Sequence, residues 1–199
     1  RLFPCSSPIP AGSLGRTYIG QVRRLVTDIG SAPVRENISR AADRIATHIG
    51  SGGKAGVATS THILMYEIFN DNRSPWKPFN VVWHAKTAFR ENVGPKDLLV
   101  WFQFVGMSTP LEDYGKFIRE TGVPCITSYV PDTNVANNLT NSLVHIPPSW
   151  RPPDTSVAIP FPPRQMAPVS GLNHGLLYRM LDEAVAARLL PTTSPSAKP

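Results

Sequence analysis

Apolar positions along this chain switch between two periods, and the switch divides it into elements. Val22, Leu25, Val26 and Ile29 recur at three- and four-residue spacing, as do Val34, Ile38, Ala41, Ala42, Ile45 and Ile49, so two helices open the fold. Pro33 starts the second, and Gly50, Gly52 and Gly53 end it. Residues 54–58 then read as a short strand and residues 62–70 as a helix leaving it directly. Residues 79–84 form a second strand. Residues 97–104 and 123–130 are apolar runs without polar alternation, joined by a Gly-Met-Ser-Thr-Pro turn and an amphipathic helical stretch. Runs of that kind belong to strands covered on both faces, which predicts a parallel sheet between helices. Residues 143–146 are a candidate fifth strand. The Pro-rich residues 147–168 predict a long loop without regular structure, and residues 171–190 a final helix with a broad apolar face.

The predicted fold class is therefore α/β: a three-layer α/β/α sandwich around a mostly parallel, five-stranded sheet of flavodoxin-like topology. In such sheets ligands bind beyond the carboxyl ends of the strands, which directs attention to residues 103–109. The helix start at Thr59, Ser60 and Thr61 combines hydroxyls with unpaired backbone amides, a pairing suited to phosphate.

Composition narrows the picture. The 199 residues, 41% hydrophobic and 17% charged, suit one globular domain over 14–190 between Pro/Ser-rich extensions at 1–13 and 191–199. A net charge of +6 is spread along the chain without a basic cluster or nucleic-acid motif, so no nucleic-acid partner is expected, and affinity for small anions such as phosphate esters is an equally good use of the basicity. No run reaches the roughly 18 apolar residues of a membrane span, and no membrane partner is expected. A cytoplasmic location is expected, an exported form staying open because the first residue is Arg1. Cys5 and Cys125 make neither a disulfide framework nor a metal cluster.

Thr61-His62-Ile-Leu-Met-Tyr-Glu67-Ile-Phe, the Asp97-Leu-Leu-Val strand followed by Gly106 and the 111–127 stretch, and Pro168-Val-Ser170 before the last helix together resemble the SIS (sugar isomerase) domains that bind phosphosugars. Within them the likeness is to the phosphoheptose-isomerase-like group, and it spans residues 18–190. The resemblance implies a dimer or tetramer that binds a sugar phosphate without a cofactor or metal, in a pocket built from Thr59, Ser60, Thr61, Gln103, Gly106, Ser108, Thr109 and Ser170. It also implies aldose–ketose isomerisation through an enediol, with Glu67 as base and His62 and His174 as partners. Each has a plainer alternative: Glu67 caps or pairs at the surface, His62 bonds a loop carbonyl, and His174 is a core or interface residue. Where the family has Ser-x-Ser-Gly, this chain has Gln103-Phe104-Val105-Gly106. A non-catalytic sensing or oligomerisation module is therefore the second expectation. His48 and His145 have no motif around them.

Overall fold

The structure, a computed structural model, describes residues 12–59, 93–102, 116, 118–130, 142–150, 157–160, 163–166 and 169–190. Helices α1 (Ser13–Ile29) and α2 (Ala32–Gly50) lead into four strands, β1 (Ala55–Thr59), β2 (Leu98–Phe102), β3 (Cys125–Ser128) and β4 (Ser142–His145). A hairpin of β5 (Val157–Pro160) and β6 (Pro163–Met166) follows, and α3 (Ser170–Leu189) comes last.

The four strands form one parallel sheet in the order β1-β2-β3-β4. Every residue of β1, β2 and β3 is buried, the polar Thr59, Thr127 and Ser128 included, as expected of strands covered on both faces. One face, carrying Ala55, Val57, Leu98, Val100, Phe102, Ile126 and Val144, joins a core with Leu25 and Ile29 of α1, the Ile38–Ile45 stripe of α2 and Leu177, Tyr178, Leu181 and Val185 of α3. The opposite face, with Leu99, Trp101, Cys125 and Thr127, is buried as well, beside the fully buried Ile118 and Val123. The fold is thus α/β with an all-parallel sheet. Of the five expected strands, residues 79–84 lie outside the described residues, and 143–146 is realised as β4.

The loop expected over 147–168 is corrected by the hairpin, in which Val157 pairs with Met166 and Pro160 with Pro163 in antiparallel register. In a two-stranded ribbon both strands are edges, and Pro160 and Pro163 stand at strand ends, where a missing amide hydrogen costs little.

The α2–β1 turn is compact for a local reason. Gly52 adopts φ 84°, open to glycine without strain, and a side chain on Gly53 would collide with the His48 ring. His48 Nε2 lies 3.1 Å from the Lys54 carbonyl, so this histidine ties the helix end to the start of β1.

Helix α3 packs chiefly on α2. Arg188 fastens the pair: Nε donates to Asp43 Oδ1 at 2.5 Å, and a terminal nitrogen donates to Ser39 Oγ at 2.8 Å. Asp43 is largely exposed, which limits the worth of the pair. Arg188→Ala is expected to cost about 1 kcal/mol, read from the urea midpoint. Arg188→Lys should recover less than half of that, because an ammonium does not present the planar fork that reaches both acceptors. Equal stability of Arg188→Ala and the parent would contradict the fastening role. Among the described residues no helix is long and apolar enough to cross a membrane.

Candidate functional site

Parallel register sets a row of side chains across the carboxyl end of the sheet. Thr59 pairs with Phe102 and Phe102 with Ser128, so all three close the face against which the helices pack. The start of α3 lies over this row. His174, one turn into the helix, sets its ring 5.6 Å from that of Phe102 and 6.2 Å from that of Trp150, edge-on to the latter. Ser170, Asn173 and His174 are buried, the last two completely.

Most of these polar groups have unspent hydrogen-bonding capacity. Ser128 Oγ, both amide atoms of Asn173 and both ring nitrogens of His174 have no hydrogen-bond partner among the described residues. A buried polar group in that condition costs about 1–3 kcal/mol relative to a satisfied one, so native chains seldom accumulate them without a use. The helix end adds a field of the same character. Val169 provides no side-chain cap, and the first turn has no acidic residue, so α3 itself does nothing to offset the positive end of its dipole.

Burial has a further effect on His174. Desolvation by burial disfavours the cation, and its pKa falls from 6.5 to about 3. The ring is neutral at neutral pH. It offers one N–H and one lone pair, and no charge.

Of the residues chosen from the sequence, Thr59, Ser170 and His174 are described, and all three belong to elements that meet at this edge. Ser60, Thr61, His62, Glu67, Gln103, Gly106, Ser108 and Thr109 lie outside the described residues. Sequence reasoning passed over Asn173 and Ser128. Asn173 had a readable signal, a carboxamide set among Leu172, Leu176 and Leu177 at the start of the helix. Ser128 had none, since one serine ending a strand is ordinary.

The other face of the sheet carries a second polar group. Thr127 Oγ1 lies 2.9 Å from Ser142 Oγ and 3.2 Å from His145 Nδ1, and Tyr129 meets the His145 ring at 4.7 Å in an edge contact. Cys125, on that face too, is fully buried, and desolvation lifts its thiol pKa to about 12. A thiolate is the reactive species, so Cys125 is expected to resist disulfide-exchange reagents at pH 8 and to react only as the protein unfolds. Peptide mapping of the labelled chain reads this, and labelling of Cys125 within seconds would contradict its burial. Among the described residues no three His, Cys, Asp or Glu side chains are grouped to hold a metal ion.

An open groove of about 360 Å³ between α2 and α3 is lined by Arg35, Ile38, Met180, Glu183 and Ala184, none of which belongs to the polar groups at the sheet. No protein-family model matches the chain, and comparison with curated proteins finds no match.

Proposed function

We propose that this chain is a sugar-phosphate-binding domain of the SIS type, a three-layer α/β/α sandwich whose ligand lies at the carboxyl edge of the sheet. The observation that carries the reading is the set of buried polar atoms on Ser128, Asn173 and His174 at that edge that have no hydrogen-bond partner among the described residues, below the start of α3, whose first turn has no acidic residue. Hydroxyl groups of a sugar match such atoms, because each both donates and accepts. A phosphate suits a helix start that lacks an acidic residue. In this proposal Thr59, Ser60, Thr61, Gln103, Gly106, Ser108, Thr109 and Ser170 contribute the remaining contacts. Glu67 is the base of an aldose–ketose isomerisation assisted by His62 and His174. Self-association through helix faces belongs to the same reading, supported by Ile19 and Val26, which α1 leaves exposed.

A non-catalytic sensing module is the second reading. It is favoured by the enclosure of His174 between Phe102 and Trp150, which suits recognition by a neutral ring better than repeated proton transfer.

The test is a thermal-shift series with pentose and hexose phosphates, their unphosphorylated parents and inorganic phosphate. A ligand at 100 times its Kd stabilises the native state by about 2.7 kcal/mol, enough to see. Asn173→Leu separates site from scaffold. Removing an unpartnered amide from the interior is expected to raise the stability of the free protein by about 1 kcal/mol while abolishing the ligand shift. A destabilised variant that keeps the shift would remove this edge as the site. Turnover of a shifted ligand in a ketose-forming assay supports the isomerase, and a shift without turnover supports the sensing module.

A further inference from the structure

The group on the far face of the sheet fixes more than a position. In a regular strand residues three apart point to opposite faces, so Ser142 and His145 would be parted by the sheet. Here the pairing of β3 with β4 slips by one residue: Cys125 faces Ser142, while Ile126 faces Val144 and Thr127 faces His145. The extra residue, Leu143, is exposed. This bulge returns both Ser142 and His145 to the face of Thr127.

Counting protons along the resulting chain determines the state of the ring. Ser142 Oγ donates its one hydrogen to the Val144 carbonyl at 3.1 Å. It must therefore accept from Thr127 at 2.9 Å, which consumes the Thr127 hydrogen. Thr127 Oγ1 then has only lone pairs left for His145 Nδ1, 3.2 Å away, so Nδ1 carries the proton. In a neutral imidazole that leaves Nε2 as a bare lone pair. Desolvation lowers the pKa of this half-buried ring, which keeps it neutral at pH 7; the titratable groups beside it are the Tyr129 phenol, just past β3, and the buried Cys125 thiol of β3, neither ionised there. Nε2 has no partner among the described residues, and His145 ends β4 at the same carboxyl edge as Phe102 and Ser128.

We propose that His145 Nε2 is a hydrogen-bond acceptor for a hydroxyl of the polyhydroxylated ligand at this edge, held in its accepting tautomer by the Ser142–Thr127 relay. The ligand's identity rests on the reading above. The tautomer does not. A ring kept only for packing needs no such relay, and the bulge that makes it interrupts the β3–β4 ladder.

Imidazole-nitrogen NMR on the whole chain tests both parts. At pH 7 the expected His145 pattern has Nδ1 protonated and Nε2 bare, the reverse of the tautomer usual for exposed histidine. In Thr127→Val the relay is cut, the proton should move to Nε2, and affinity for the hexose phosphate giving the largest thermal shift should drop about tenfold; Thr127→Ser should restore both. Adding that sugar phosphate to the parent should shift the Nε2 signal. A protonated Nε2 in the parent overturns the relay. Ligand-induced shifts at Asn173 and Ser170 with none at His145 overturn this inference and leave the proposed function standing. Binding of none of the sugar phosphates overturns both.

Discussion

Replacing His174 by phenylalanine is expected to make the protein markedly less sensitive to acid. In the native state the His174 ring is fully buried against Phe102 and Trp150, and its pKa is lowered from 6.5 to about 3. Between those values the unfolded chain takes up a proton that the native ring refuses. Protons bound preferentially by the unfolded state favour unfolding, so stability is full above pH 6.5 and declines as pH falls. The decline approaches 1.4 kcal/mol per pH unit well inside the window and levels off near the native pKa. His145, also lowered by burial, adds a loss of the same sign. Phenylalanine keeps an aromatic ring in the box and cannot titrate there. Urea unfolding of parent and His174→Phe at pH 7 and pH 5 should show the variant gaining about 2 kcal/mol relative to the parent across that interval. Carboxylate titrations are common to both proteins and cancel in the difference. Parallel stability curves would mean that His174 titrates as in water, which is incompatible with its enclosure.

The second large effect is mechanical. Leu181→Ala is expected to cost about 2–5 kcal/mol, because it removes a fully buried side chain from the core shared by α2, α3 and the sheet, and strand-backed walls collapse poorly into the gap. Leu143→Ala is the matched control. Its side chain is about half exposed, and the change should stay within about 0.5 kcal/mol. The urea midpoint measures both. Similar small losses would mean that α3 is loosely seated, and the buried polar atoms at its start would then have ready access to water.

The elements were legible where a single period governs. The 3.6-residue stripes of α1 and α2, and the runs without polar alternation that hold β2 and β3, point to helices and covered strands, and the structure adopts them. The hairpin was not legible, because Pro160 and Pro163 are strand-breakers in a central position and harmless at strand ends, and sequence does not say which position a strand holds. Of the candidate site, only local parts can be marked from sequence. Thr59, Ser170 and His174 stand near helix and strand ends that a motif can mark. The Thr127–Ser142–His145 relay joins two strands through a bulge, and alternation read along residues 142–145 puts Ser142 and His145 on opposite faces. Asn173 stands out only once its carboxamide is seen to have no hydrogen-bond partner among the described residues.

The fastening of α2 by α3 also bears on synthesis. Asp43 and Arg188 are 145 residues apart, so α2 leaves the ribosome long before the helix that covers it. At 5–20 residues per second the interval is on the order of ten seconds, against the microseconds in which α2 itself can form. Throughout that time the face carrying Ala41, Ala42 and Ile45 lacks its permanent cover. The nascent chain is therefore a client for whatever shields apolar helices at the exit tunnel. Substitutions that make this face stickier should depress yield in cells before they alter the folded protein.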